Sequence, residues 1–220
     1  MSERTTRRAV PDTVIFDLGG VLIDWNPRYL YRRLFDDESS MEQFLAEVCD
    51  GQWNEQQDAG RSWDEAIRLR SAEFPEHAAL IAAYRTRWDE MLRGPMHDSV
   101  AILEELRARG VRLYALTNWS QETFPLAFER YAFLQAFEGI VVSGQERMIK
   151  PDPAIFQLLL NRYGIDPGRA VYVDDAPRNV DAAAKLGMHA LQFRDAALLR
   201  GELVALGLLD GTAPEVRQHG

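Results

Sequence analysis

The chain carries a single cysteine, Cys49, so no disulfide can form within it. That excludes a disulfide-stapled scaffold and predicts a protein of the reducing cytoplasm. It also has no apolar run near the length of a membrane span. Arg4, Arg7 and Arg8 imitate the start of a secretory leader, but the apolar stretch behind them is broken at Asp17. Basic residues are in deficit: 25 Lys and Arg stand against 34 Asp and Glu, a net charge of −9. Such a balance argues against a broad nucleic-acid or anionic-membrane footprint. There are only four histidines, and His77 and His97, read as a surface and a hinge residue, have no metal-ligand spacing. Internal repeats and low-complexity segments are absent. What remains is ordinary globular composition, 46% apolar and 27% charged over 220 residues, enough for one substantial core or a core with a small second lobe.

The most informative stretch is Val14-Ile15-Phe16-Asp17-Leu18-Gly19-Gly20. Three β-branched or aromatic residues run into an acid and two glycines, the pattern of a buried parallel strand ending at a tight turn. Residues 1–12 read as a polar, poorly ordered lead-in. From about Asn26 to Arg93 strand-like alternation is missing. Ser39 with Glu42 and Ser62 with Glu65 have capping-box spacing, and apolar residues recur at helical intervals. This region is expected to be an all-helical insertion of four or five helices, closed by Gly94-Pro95.

From Asp98 onward helix and strand alternate. Asp98 or Ser99 is expected to cap a helix ending at Gly110. Strands are expected at 111–116, 140–142, 170–173 and 189–193, with helices at 154–163 and 180–186. Repeated units of this kind predict an α/β fold, a doubly wound parallel sheet with helices on both faces. The expected division is a core of residues 1–24 and 95–220 with residues 25–94 inserted as an α-helical cap.

Separate strands end in polar residues that a buried strand does not otherwise need: Asp17, Thr117-Asn118 and Asp174-Asp175. A parallel sheet brings such ends to one edge, where ligands bind. Carboxylates gathered there repel one another unless a cation sits among them. Oxygen-only ligands suit Mg²⁺, which takes one or two carboxylates, waters and phosphate oxygens. Lys150 adds a positive charge suited to a phosphate oxygen. With Mg²⁺ and Lys150 in place, the charges of Asp17, Asp174 and Asp175 are balanced and the site can accept an anion. The Thr117 hydroxyl and main-chain N–H groups near Gly19 and Asn118 can complete the cradle.

This four-part order resembles the haloacid dehalogenase (HAD) superfamily over nearly the whole chain. The matching residues are Phe16–Val21, then Leu116-Thr117-Asn118, then Lys150-Pro151-Asp152-Pro153, then Val173-Asp174-Asp175 with Asn179. Asp17 through Asp24 is similar to the branch of small-molecule and sugar-1-phosphate phosphatases. The resemblance implies a Rossmann-like core with a helical cap and a Mg²⁺-dependent phosphatase acting on a small phosphorylated metabolite. It makes Asp17 the nucleophile and a metal ligand, with the Gly19 carbonyl and Asp175 as further ligands and Asp174 acting through water. Thr117, Asn118 and Lys150 hold the phosphoryl group. An aspartate is already ionised at pH 7, so it attacks phosphorus without a base and forms an aspartyl phosphate that water then hydrolyses.

One position departs from the pattern. Phosphatases of this superfamily carry a second Asp two residues after the nucleophile, as general acid and base; here that residue is Gly19. Such help is worth about 10²–10⁴-fold. Its loss implies a leaving group that needs no proton, another donor such as Asp24 or a cap residue, or a slow relative. Two alternatives follow. A 2-haloacid dehalogenase needs no proton donor, but in this superfamily it also needs no metal, and without Mg²⁺ the paired acids Asp174 and Asp175 would repel its anionic substrate; Gly19 also suits a non-catalytic binding protein of the same fold. Substrate choice is expected to lie with Trp25, Asn26, Arg28, Trp53, Trp88 and Trp119 around the cleft.

Overall fold

The computed structural model describes residues 10–211. Among the described residues there are seven strands: β1 Thr13–Phe16, β2 Ile23–Trp25, β3 Leu92–Pro95, β4 Arg112–Thr117, β5 Gly139–Val142, β6 Ala170–Asp174 and β7 His189–Gln192. Five form one sheet in the order β5-β4-β1-β6-β7, every neighbouring pair parallel. β1 is central because its residues are fully buried on both sides, the condition a parallel strand needs. Alternation divides them between two layers. Val14 and Phe16 pack with Leu103 and Leu106 of helix His97–Ala108 and Leu199 and Leu203 of helix Ala196–Ala205. Ile15 packs with Ile155, Phe156 and Leu159 of helix Pro153–Tyr163 and with Ala183 of helix Pro177–Lys185. The expected α/β sheet with helices on both faces is therefore present, with the chain reversing direction across the sheet beside β1.

β2 and β3 form a separate antiparallel ribbon, with Ile23 opposite Pro95 and a register shift between Asp24 and Trp25. Between them lie helices Arg28–Tyr31, Glu38–Glu47, Gly51–Asp58, Trp63–Glu73 and Ala78–Thr86, with two 3₁₀ turns. Their core is aromatic. Trp63 stacks on Tyr84 with centroids 5.5 Å apart, and Trp53 meets both rings edge-on.

Several local expectations are corrected. Residues 92–93 belong to β3, although no strand was expected over 26–93; the partner that makes it a strand is about 70 residues away in sequence. Helix 38–47 is capped by Asp37, whose carboxylate accepts the Ser40 N–H, and not by Ser39. Glu42, the expected second half of that box, instead binds Arg28 through two hydrogen bonds. Ser62 does cap its helix, accepting the Glu65 N–H. The helix after β3 starts at His97 with no side-chain cap, because Met96 N–H is held by the Leu22 carbonyl at 2.8 Å and the chain enters it straight from the ribbon. Most of the expected lead-in lies outside the described residues; Asp12, which is described, pairs its N–H with the Arg169 carbonyl. Among the described residues no helix is long and apolar enough to cross a membrane.

Candidate active site

Asp17 is the first residue beyond β1, and its N–H continues the sheet by donating to the Val173 carbonyl at 2.8 Å. The chain then turns back on itself, with Leu22 and Ile23 N–H both on the Leu18 carbonyl. Gly20 makes this possible with φ of +75°, a region that favours glycine. A Cβ there would lie 2.8 Å from Asp175 Oδ2, so any side chain at this position would force the Asp175 carboxylate to move. At Gly19 a Cβ would meet nothing within 4 Å.

Lys150 is the pivot. It arrives on the loop before helix 153–163, is 1% exposed, and lies 3.0 Å from Asp17 Oδ2, 2.8 Å from Asp174 Oδ2 and 2.9 Å from the Leu116 carbonyl. Two hydrogen bonds anchor the ammonium to Asp174 and the Leu116 carbonyl, and its charge pairs with Asp17. The Asn118 side chain holds the Lys150 main chain from both sides. Its Oδ1 accepts the Lys150 N–H at 2.8 Å, and its Nδ2 donates to the Lys150 carbonyl at 3.0 Å. Any contact from Asn118 to a ligand thus falls to its main-chain N–H. Thr117 is the buried last residue of β4, immediately before it.

The three acids stand in different surroundings. Asp174 is saturated: besides Lys150 it accepts from Tyr172 OH at 2.5 Å, Ala176 N–H at 2.9 Å and Asn179 Nδ2 at 3.0 and 3.1 Å. Burial opposes its charge, but Lys150 and these donors keep its carboxyl below the ordinary range. Among the described residues Asp17 accepts the Leu18 N–H and pairs with Lys150. Burial pushes it up to about 7, which corrects the expectation of an aspartate fully ionised at pH 7; Lys150 pulls the other way, and Asp174 adds to the rise. Asp175 is exposed and also raised, by partial burial and by Asp174. Burial lowers Lys150, yet the two carboxylates more than offset that and hold its ammonium charged. One lysine shared between two acids, with a third beside them, leaves the cluster short of positive charge.

A divalent cation fits that deficit. Asp17, Asp174 and Asp175 each offer an oxygen within 4.8 Å of the others. The donor set is carboxylate only, the preference of Mg²⁺. With Asp174 committed to five hydrogen bonds, Asp17 and Asp175 have the freer lone pairs for direct ligation.

Beside these acids lies a cavity whose wall includes Gly19, Asn118, Trp25, Trp88 and Trp119. It is also lined by Trp63, Asn54, Asp58 and Thr123, which sequence reasoning did not single out. Helical periodicity places these residues on a helix but does not show what that helix faces. Trp25 has a buried indole N–H with no partner among the described residues. Trp119 donates its indole N–H to Thr123 Oγ1 at 3.2 Å, so it is part of the wall's own structure. Two expected cleft residues are engaged elsewhere: Arg28 in its pair with Glu42, and Trp53 in the aromatic core. Asp24 lies on the ribbon, where its carboxylate accepts the Tyr29 hydroxyl at 2.9 Å, and it does not line the cavity.

The chain is 28% identical to a sesquiterpene phosphatase of Aspergillus oryzae over 82% of its own length and 89% of the relative's. It spans about half the length of several other curated relatives it matches. Its fold is that of a Bacteroides thetaiotaomicron family enzyme solved with magnesium and inorganic phosphate (TM-score 0.62, 21% identity, covering 84% of this chain and 94% of that one). It is likewise that of the L-2-haloacid dehalogenase of Xanthobacter autotrophicus (TM-score 0.61, 18% identity, covering 93% and 85%). The family model for haloacid dehalogenase-like hydrolases matches residues 11–187, and the chain belongs to that family of hydrolytic enzymes.

Proposed function

We propose that the protein is a Mg²⁺-dependent phosphatase that hydrolyses a small phosphate monoester, a sugar phosphate or similar metabolite, through a phosphoryl group carried on Asp17. The observation that carries this reading is the buried Lys150 ammonium bridging Asp17 and Asp174, with the Asp175 carboxylate alongside. Such a cluster is short of positive charge until a divalent cation joins it, and with one it receives a dianion.

In this reading Asp17, Asp175 and the Gly19 carbonyl would hold the metal, with Asp174 acting through water. When bound, the metal supplies charge neutralisation at the phosphoryl oxygens. Asp17 attacks phosphorus in line with the departing oxygen. Lys150 and the Thr117 hydroxyl, with main-chain N–H groups at Gly19 and Asn118, steady the three equatorial oxygens. Asn118 acts on Lys150 as well, by fixing its main chain. Water then displaces phosphorus from Asp17 and frees the carboxylate. Residues 25–94 serve as the cap over the core of 1–24 and 95–220, and the setting is cytoplasmic, in keeping with the single buried thiol of Cys49.

A sesquiterpene phosphatase as a full-length relative supports phosphate chemistry, and so does the solved neighbour with magnesium and phosphate. Dehalogenation is disfavoured by the acids, whose net negative charge would oppose a carboxylate substrate. The test is hydrolysis of 4-nitrophenyl phosphate with and without Mg²⁺. The wild type should turn over only with the ion, and Asp17→Asn should abolish turnover. Undiminished activity in that variant refutes the assignment.

A further inference from the structure

The acid missing at position 19 has a counterpart across the cavity. Asp58 is the last residue of helix Gly51–Asp58, in the segment between β2 and β3, and it lines the same cavity as Gly19 and Asn118. It is 9% exposed and has no ion-pair partner among the described residues; its side chain accepts from Asn54 Nδ2 at 3.1 Å. A carboxylate is poorly placed there twice over: it is desolvated, and it sits at the negative end of a helix dipole. The Ser120 main-chain N–H also faces this carboxyl and favours its charge, without outweighing the burial. Groups held at such disadvantage cluster at functional sites.

Its position is fixed from the core. Ser143 Oγ, just beyond β5, donates to the Asp58 carbonyl at 2.6 Å and accepts the Trp119 N–H at 2.9 Å. Trp63, at the start of the next helix, donates its main-chain N–H to Glu122 and its indole N–H to Ser120 Oγ at 3.1 Å. The end of helix 51–58 is thus latched to the loops after β4 and β5, the loops that also carry Asn118. The Asp58 carboxyl senses the charges of both Asp17 and Lys150.

We propose that Asp58 is the general acid and base of the reaction, supplied by the helical segment in place of the residue absent at Gly19, and that it lets the enzyme act on alkyl phosphates, whose leaving oxygen needs a proton. This rests on the phosphatase reading above. As Asp17 bonds to phosphorus, the bond to the leaving oxygen breaks and its electron pair takes the Asp58 proton, releasing an alcohol. The resulting Asp58 carboxylate takes a proton from water. The hydroxide attacks phosphorus and the Asp17–phosphorus linkage breaks, giving free Asp17, inorganic phosphate and protonated Asp58. Burial, with Glu55 and Asp17 nearby, pushes Asp58 up to about 7, the range in which both forms are accessible.

The test compares glycerol 2-phosphate with 4-nitrophenyl phosphate, whose leaving group departs without a proton. In a single turnover, Asp58→Asn should slow release of the alcohol from the alkyl ester by about 10²-fold or more, with a loss in release of 4-nitrophenol at least tenfold smaller, because only the leaving-group step differs between the two. Adding Gly19→Asp to Asp58→Asn should restore alkyl turnover; the open space at Gly19 accepts the side chain, and rescue shows that the single variant still folds. Equal losses in single-turnover release of the two leaving groups, or undiminished alkyl turnover, overturn the proposal while leaving the phosphatase reading intact. A wild type inactive on both esters refutes the phosphatase reading, and the proposal with it.

Discussion

Lys150 and Asp174 meet at 2.8 Å in the floor of the site, both of them buried, and the same ammonium reaches Asp17 at 3.0 Å. Removing one partner of a buried pair leaves an uncompensated charge, which destabilises by about 3–5 kcal/mol. Lys150→Met should therefore lower the urea midpoint markedly as well as abolish activity. Asp174→Asn in that background should recover part of the loss, because it removes one of the stranded carboxylates. A Lys150→Met protein as stable as the wild type would show that the pair carries little of the fold.

Asn118 grips the main chain of Lys150 with two hydrogen bonds. Asn118→Ala should leave the ammonium less well placed, and a displacement of about 1 Å near the chemistry can reduce the rate about 10²-fold. The loss should appear in kcat more than in KM. Steady-state kinetics on the aryl ester checks this; a pure KM effect would mean that Asn118 acts only in binding.

Gly19 and Gly20 should respond oppositely to a methyl group. Gly20→Ala combines a left-handed backbone with a Cβ 2.8 Å from Asp175 Oδ2, so it should lower the melting temperature and weaken metal binding together. Gly19→Ala meets no atom within 4 Å and should fold with wild-type stability. Thermal melts of both variants decide it.

Asp58 gives a pH signature. Its folded pKa of about 7 lies above the ordinary carboxylate value of 3.8, so between those values the folded state holds the proton more tightly than the unfolded chain. The stability it contributes is present at low pH and is lost as pH rises toward 7. Asp58→Asn should thus be more stable than the wild type at pH 8, by up to about 4 kcal/mol at 1.36 kcal/mol per unit, and no more stable at pH 4. Melts across that range check the sign; a uniform shift would remove titration as its cause.

Mg²⁺ should stabilise the folded protein in proportion to its affinity, by about 2.7 kcal/mol at about 100 times Kd. Asp175→Asn should erase most of that gain, because Asp175 has the most accessible carboxylate of the three. Calorimetry with and without the ion reads it directly. An equal gain in both proteins would place the ion elsewhere.

Much of this site was legible in the sequence because its residues sit where strands end. Asp17, Thr117, Asp174 and Asp175 follow short apolar runs, and parallel pairing brings such ends to one edge whatever lies between. Lys150 was visible as a lysine before a proline and a helix, though not its three buried partners. Two kinds of feature were hidden. The β2–β3 ribbon pairs Ile23 with Pro95, and neither three-residue Ile23–Trp25 nor Gly94-Pro95 has a periodicity of its own. Asp58 and Trp63 come from helices whose spacing shows an apolar face but not what that face covers. The role proposed for Asp58 depends on the latch through Ser143, a contact between residues 85 apart in sequence.

The most direct measurement is an acid quench of the enzyme during turnover of 4-nitrophenyl phosphate with Mg²⁺, followed by peptide mass spectrometry. The account predicts a phosphoryl group on the peptide that carries Asp17, absent in Asp17→Asn. Steady turnover with no phosphorylated peptide, or a phosphoryl group on another residue, would contradict it.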